Sequence, residues 1–169
     1  MKTPLTLTIN GETVEALVEP RTTLLTFLRE QCGLTGPKRG CEEGECGCCA
    51  VLLDGELVDS CLILALEAQG HAVSTVEALA GPTTGGQPAL SPLQQAFVEA
   101  GAAQCGFCTP GMLMAATTLL EQDSTPDELT VRRALSGNLC RCTGYDRIVR
   151  AVQLAAELRH GGTQQGRTP

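Results

Sequence analysis

Residues 40–61 read GCEEGECGCCAVLLDGELVDSC and hold five of the ten cysteines of the chain. Cys41, Cys46 and Cys49 form the pattern C-x4-C-x2-C, and Cys61 follows after eleven further residues. This is the ligand spacing of plant-type [2Fe-2S] proteins. We call these four cysteines the first thiol set and interpret them as candidate ligands of one iron–sulfur cluster.

Glycines accompany the first thiol set. A buried two-iron cluster with four thiolates is anionic, and backbone N–H dipoles must offset its charge where water is excluded. Gly40, Gly44 and Gly47 allow the backbone to pass close to the sulfur atoms. A zinc site with four cysteine ligands is the alternative interpretation of this loop.

Two cysteines fall outside the ligand set. Using Cys48 in place of Cys49 would shorten C-x2-C to C-x-C, so we interpret Cys48 as a small side chain. Cys32 comes at the end of a predicted helix, where a free cysteine usually behaves as a small buried apolar residue. We expect neither thiol to bind metal.

A second thiol set lies beyond residue 100. Cys105 and Cys108 form C-x2-C, Cys140 and Cys142 form C-x-C, and 31 residues separate the inner two. This combination is not a common zinc spacing, although C-x2-C alone also occurs in redox dithiols. Each pair comes directly before a predicted helix start, where free N–H groups favour an anion. We therefore expect a second [2Fe-2S] cluster here.

Composition excludes several classes of function. The 169 residues carry a net charge of −7 and only four aromatic side chains, which gives neither a basic surface nor a stacking platform for nucleic acid. No apolar run approaches the roughly 18–20 residues that span a bilayer, and the N-terminus lacks the apolar core of a signal peptide. We expect a cytoplasmic protein whose cysteines bind metal rather than form disulfides.

The first 80 residues predict strands. Apolar side chains alternate with polar ones in residues 5–9 and again in residues 14–18, and the intervening Asn10-Gly11 is a strong hairpin signal. Residues 50–53 and 57–58, separated by Asp54-Gly55, predict a second hairpin. We therefore expect the cysteine loop to be attached to strands of a sheet.

A helix is predicted between these hairpins. Thr22 or Thr23 can cap it, Leu24, Leu25, Phe27 and Leu28 would face the sheet, and Gly33 is placed to end it.

Residues 81–90 are predicted to be a linker, because they contain several glycines and prolines and no periodic pattern of apolar residues. We accordingly predict a plant-type [2Fe-2S] ferredoxin domain in residues 1–80, a helical [2Fe-2S]-binding domain in residues 91–160, and a flexible tail in residues 161–169.

Four helix starts are predicted after the linker. They are Ser91-Pro92 with Gln94, Thr109-Pro110, Thr125-Pro126 with Glu128 as a capping box, and Asp146. The second half is therefore expected to be a small helical bundle.

Three segments resemble a known family: residues 40–61, residues 104–112 (QCGFCTPGM) and residues 137–145 (GNLCRCTGY). They are similar to the small iron–sulfur subunit of the molybdenum hydroxylases, the xanthine dehydrogenase family. The likeness runs from about Leu5 to Leu158 in the order of the family. Cys48 departs from the pattern, since the family more often has a small residue without a thiol there.

The resemblance implies an α+β fold, with a β-grasp ferredoxin domain followed by a four-helix bundle that carries the second cluster. It implies that electrons pass from a molybdenum–pterin cofactor on a large subunit to the second thiol set, then to the first, and on to FAD on a medium subunit or to another acceptor. By position, Gln104 and Cys142 match the family's contacts to the pterin, and the loop at residues 43–45 matches the side nearest the flavin.

Two other functions stay open on the residues alone: a free-standing two-cluster ferredoxin and a structural zinc protein. The segment QCGFCTPG favours the subunit, because it contains more than a cluster requires. His71 and His160 are separate, and each is most simply a surface or turn residue, so we expect no catalytic residue on this chain. The substrate would be bound by the large subunit.

Overall fold

A computed structural model describes residues 1–84 and 87–161. The N-terminal half contains a five-stranded sheet in the order β2-β1-β5-β3-β4. Its strands are β1 Thr3–Ile9, β2 Glu12–Val18, β3 Ala50–Leu53, β4 Glu56–Asp59 and β5 Ala72–Ser74. β5 runs parallel to β1, and the other neighbouring strands are antiparallel. The late strand β5 thus joins two hairpins that are distant in sequence.

Both predicted hairpins are confirmed. Asn10 and Gly11 have φ angles of 52° and 87°, and Asp54 and Gly55 have φ angles of 50° and 90°. Two consecutive positive φ angles give a turn whose twist matches that of the paired strands, and Asn, Asp and Gly adopt them at low cost.

Helix α1, Leu24–Glu30, is confirmed in its predicted place. Thr23 is its N-cap, and the Thr23 hydroxyl accepts a hydrogen bond from Thr26 N at 3.2 Å. Burying each large side chain contributes roughly 1.5–3 kcal/mol. The core between α1 and the sheet contains Leu5, Leu7, Ile9, Val18, Leu24, Phe27, Leu28, Val51 and Val73.

The predicted linker includes paired backbone. β6 Gly81–Thr84 and β7 Gln87–Ala89 form a separate two-stranded antiparallel sheet. The domain boundaries stay a prediction, and the predicted tail lies outside the described residues from residue 162 onward.

Four helices follow: α2 Pro92–Glu99, α3 Thr109–Gln122, α4 Glu128–Ala134 and α5 Asp146–Gly161. Three of them begin where the sequence predicts. Ser91 caps α2 in a capping box with Gln94, as expected. No helix in the described part of the chain is long and apolar enough to cross a membrane.

The predicted start of α4 is wrong. The helix begins at Glu128, and its cap is Asp127, whose carboxylate accepts a hydrogen bond from Thr130 N at 2.7 Å. Asp is a strong N-cap and its charge complements the helix dipole.

Helix α3 joins the helical half to the sheet. Met114 of α3 is fully buried and packs against Ala50 and Leu52 of β3. This contact brings the second thiol set close to the cysteine loop that precedes β3.

Candidate metal centres

The β3–β4 hairpin holds one half of the first thiol set. Cys49 directly precedes β3, and Cys61 comes two residues after β4. Ala50 pairs with Asp59 across the hairpin, and Ser60 Oγ donates to Cys49 O at 2.6 Å. The thiols of Cys49 and Cys61 therefore lie side by side, and the Cys49 thiol donates a hydrogen bond to Asp59 Oδ1 at 3.4 Å.

Cys41 and Cys46 form the other half. Their thiols lie close to each other. The backbone N–H groups of Glu43 and Glu45 donate to Cys41 Sγ at 3.5 and 3.3 Å. These donors favour the thiolate and lower the pKa of Cys41 to about 7. The loop thus directs N–H dipoles at sulfur, as the glycine-rich sequence predicts.

Gly40 leaves room for this arrangement. A Cβ at Gly40 would lie 2.8 Å from Cys46 Sγ and 3.7 Å from the ring of Phe107. A side chain here would push against a candidate ligand.

The hairpin half of the first set is buried. Cys49 is 2% exposed, Cys61 is 7% exposed, and both pack against Leu25. Burial raises the pKa of the Cys49 thiol above its ordinary value. This thiol stays protonated until a metal ion displaces the proton, so metal binding here releases protons.

The second thiol set also consists of two pairs. Cys105 Sγ and Cys142 Sγ lie 3.5 Å apart, and the thiols of Cys108 and Cys140 are hydrogen-bonded. Cys108 is the N-cap residue of α3, and Cys142 comes four residues before α5. Both C-x2-C and C-x-C therefore precede helix N-termini, as predicted.

Protonation differs within the second set. Burial raises the pKa of Cys108 to about 12. Burial acts in the same direction on Cys140, but hydrogen bonds from the side chain and backbone of Thr143 outweigh it and lower the pKa. A hydrogen bond to Cys105 is the main cause that raises the pKa of Cys142.

One edge of the second set is open to solvent. Cys105 and Cys142 are exposed, whereas Cys108 is buried. Gln104 is also exposed beside Cys105, and Phe107 is 45% exposed. The resemblance assigns Gln104 and Cys142 to the pterin. Cys142 is one thiol of this exposed pair, and Gln104 directly precedes the other, Cys105.

The two remaining cysteines have apolar surroundings. Cys48 is 5% exposed, and its thiol donates to Cys46 O at 3.6 Å. Burial is the main cause that raises the pKa of Cys48 to about 12. Cys32 packs partly buried against the sheet core, and burial raises its pKa.

Hydrogen bonds connect the two sets. Leu139 N donates to Cys46 O at 2.9 Å, and Leu139 directly precedes Cys140. The buried side chain of Asn138 donates from Nδ2 to Gly47 O at 3.0 Å. Sequence reasoning missed both contacts; the available signal was a polar residue two positions before a ligand motif, as in GNLCRC.

The donor chemistry fits two [2Fe-2S] clusters. Each iron of such a cluster takes two protein ligands, and each thiol set supplies two pairs. All ten thiols are free of disulfides. Within the described ranges, no three His, Cys, Asp or Glu side chains are grouped to hold a single metal ion.

Comparison with known proteins gives two matching family models. Residues 7–79 match a 2Fe-2S iron-sulfur cluster binding domain, and residues 75–153 match a [2Fe-2S] binding domain. The chain is 47% identical to the nicotinate dehydrogenase small FeS subunit of Eubacterium barkeri, over 92% of this chain and 96% of that protein. It is 50% identical to the xanthine dehydrogenase iron-sulfur-binding subunit of Escherichia coli O157:H7, over 86% and 89% respectively.

Solved structures agree. Quinoline 2-oxidoreductase from Pseudomonas putida 86 matches with a TM-score of 0.88 and 44% identity, over 95% of this chain and 98% of that one. The aldehyde oxidoreductase of Desulfovibrio desulfuricans matches with a TM-score of 0.86 and 42% identity, over 94% of this chain and 17% of that one. The chain therefore belongs to the family of small [2Fe-2S] subunits of the molybdenum hydroxylases, with the iron–sulfur subunits of xanthine and nicotinate dehydrogenases.

Proposed function

We propose that this chain is the electron-transfer subunit of a molybdenum-containing hydroxylase or dehydrogenase. It relays electrons from a molybdenum–pterin centre on a large subunit, by way of two [2Fe-2S] clusters, to FAD on a medium subunit or to another acceptor. The observation that carries the proposal is two sets of paired thiols joined by the hydrogen bond from Leu139 to Cys46. When bound, the clusters supply one-electron carriers.

The thiol pairs support a specific ligand assignment. We assign one cluster to Cys41, Cys46, Cys49 and Cys61, and the other to Cys105, Cys108, Cys140 and Cys142. The proximity of the thiols favours Cys41 with Cys46, Cys49 with Cys61, Cys105 with Cys142, and Cys108 with Cys140, each pair on one iron.

The protein groups around these thiols set the reduction potentials of the clusters. Backbone N–H groups of Glu43 and Glu45 point at Cys41 Sγ, and Thr143 Oγ1 lies 3.1 Å from Cys140 Sγ. Hydrogen bonds to sulfur stabilise the more negative, reduced state and raise the reduction potential. Leu25 excludes water from Cys49 and Cys61 on the other side of the loop.

The exposed edge of the second set favours a contact with the large subunit. Cys105 and Cys142 are exposed, and the partly exposed ring of Phe107 adds apolar surface beside them. We propose that Gln104 and Cys142 contact the pterin on this surface. The exposed carboxylates of Glu43 and Glu45, at the other set, then mark the side that faces a flavin subunit.

The finer architecture follows the same proposal. The five-stranded sheet with α1 would be a β-grasp ferredoxin domain, and α2 to α5 would form a four-helix bundle. The extensive packing of α2 on α5, with α4 in contact with both α3 and α5, supports the bundle.

Anaerobic purification of the tagged full chain from its own host tests the function. We expect a red-brown complex with about four irons and four acid-labile sulfides per chain, two paramagnetic signals after dithionite reduction, and molybdenum on a large partner. A colourless zinc protein without sulfide would contradict the proposal. Four irons without a molybdenum partner would instead indicate a free-standing ferredoxin.

A further inference from the structure

We infer that Asn138 is a positioning residue that sets the separation of the two cluster sites by holding the carbonyl of Gly47. The inference rests on the proposed function, because it concerns two clusters between which one electron moves, so that one is oxidised as the other is reduced.

Burial makes the Asn138 contact specific. Asn138 is 4% exposed, and the hydrogen bond from its Nδ2 to Gly47 O spans 91 positions of sequence. A buried amide without a partner is destabilising, so the side chain holds Gly47 O rather than leaving it free to shift. The contact therefore fixes one loop against the other.

The backbone of Gly47 is closely packed on the sides that face Asn138 and α3. A Cβ at Gly47 would lie 2.4 Å from Asn138 Nδ2 and 2.5 Å from Gly137 O. A Cβ at Gly111 of α3 would lie 2.1 Å from Gly47 O and 3.0 Å from Asn138 Nδ2. The Gly47 peptide is thus enclosed between the start of α3 and the loop of Asn138, and neither side has room for a methyl group.

The same contact extends to candidate ligands of both clusters. Gly47 follows Cys46, while Asn138 comes two residues before Cys140. The Tyr145 hydroxyl accepts a hydrogen bond from Cys140 N at 2.9 Å and lies 3.3 Å from Asn138 O, to which it donates. Asn138 is therefore held to the first set by its side chain and to the second by its backbone.

The distance between the two clusters controls two measurable quantities. The rate of electron tunnelling between two centres falls exponentially with distance, and the magnetic dipolar interaction of two reduced clusters falls with its cube. A shift of the Gly47 loop changes both quantities without altering any ligand. A residue with a merely structural role would change thermal stability and leave both quantities as they are.

Substitution in the full chain, isolated in its complex, tests the inference. Asn138→Asp keeps the size of the side chain but places a carboxylate oxygen, which cannot donate a hydrogen bond, against Gly47 O. Asn138→Ala removes the contact. We expect both variants to keep about four irons. The splitting of the paramagnetic signals should become smaller, and electron transfer between the clusters at least about threefold slower. Ser136→Ala is the matched control, because Ser136 is exposed and its hydroxyl donates to Arg133 O of α4 at 2.8 Å, away from Gly47.

Gly111→Ala provides an independent variant. It keeps the Asn138 side chain, but its Cβ would overlap Gly47 O and touch Asn138 Nδ2, so the carbonyl is displaced from this hydrogen bond and the same two changes are expected. Full iron content with unchanged splitting and rate in these variants would overturn the inference. Loss of iron from both Asn138 variants would also overturn it, since it would show a role in cluster retention. A wild-type chain without two interacting signals would refute the proposed function itself.

Discussion

The two thiol sets have the same donors on different secondary structure. The first lies on a loop and a hairpin, where N–H groups of Glu43 and Glu45 point at one sulfur. The second lies at the start of α3 and in the loop that leads to α5, where Thr143 and the backbone of Cys142 donate to Cys140. The comparison teaches that an anionic sulfur site needs nearby N–H donors, which a nest-like loop and a helix start both provide.

The sets also differ in exposure. Cys49 and Cys61 are buried, whereas Cys105 and Cys142 are exposed. The first set is thus enclosed by its own chain on the hairpin side, and the second presents one thiol pair outward. This asymmetry is what a relay requires, because one end must approach a partner closely.

Removing one ligand from each set is expected to have the largest effect. Cys61→Ser should abolish only the first cluster and Cys142→Ser only the second, because serine is a poor replacement for a soft thiolate ligand of iron. Iron should fall from about four to about two per chain in each variant, with a different paramagnetic signal retained. Cys32→Ser is the control and should keep all the iron. Loss of both signals from either variant would show that the two sets do not load independently.

Gly47→Ala is expected to destabilise the junction between the sets. The φ angle of Gly47 is 64°, and a Cβ would overlap both Asn138 and Gly137. Gly55→Ala is matched, since Gly55 has φ of 90° but nothing within 4 Å of a Cβ. Both variants bear backbone strain, so the packing overlap should make Gly47→Ala worse by about 2 kcal/mol, or about 4–8 °C in Tm. Equal Tm values from calorimetry would mean that the loop relaxes away from Asn138.

Thiol reactivity of the metal-free chain separates hydrogen bonding from exposure. The pKa of Cys41 is lowered to about 7 by backbone N–H groups, whereas the pKa of the more exposed Cys142 is raised by its hydrogen bond to Cys105. At pH 7 about half of Cys41 is thiolate, and the lower nucleophilicity of a low-pKa thiol offsets part of the gain.

We therefore expect iodoacetamide to modify Cys41 roughly tenfold faster than Cys142 at pH 7, as measured by peptide mass spectrometry. The ratio should decrease as pH rises, because Cys142 then ionises while Cys41 is already thiolate. Faster modification of Cys142 would show that exposure, not hydrogen bonding, controls reactivity.

Arg141→Gln is expected to have the smallest effect. Arg141 lies between two candidate ligands, is exposed, and has no carboxylate partner within 4.0 Å among the described residues. Its positive charge should favour the reduced state of the second cluster. The variant should therefore lower the midpoint potential of the second cluster, by less than the ~59 mV that corresponds to a tenfold change in equilibrium constant. The first cluster is the internal control in the redox titration. An unchanged second potential would show that solvent screens the charge.

Local features of the fold were predictable from sequence. The turns at Asn10-Gly11 and Asp54-Gly55 and the caps at Thr23 and Ser91 rest on interactions within a few residues. The start of α4 was misplaced because Thr125 and Asp127, two positions apart, are both good caps, and it is Asp127 whose side chain accepts the hydrogen bond of the first turn. Strand β5 was missed, since three residues are too short for a periodic signal.

The sequence alone predicted two thiol sets and the cysteines of each, because C-x4-C-x2-C, C-x2-C and C-x-C are local spacings that can be recognised without the fold. Only the tertiary structure decided that Cys108 lies against Cys140, that Cys105 and Cys142 face outward, and that Asn138 holds Gly47. Those relations join residues 32 to 91 positions apart, or depend on what covers a surface. The packing of α3 on β3 sets them, and no local pattern encodes that packing.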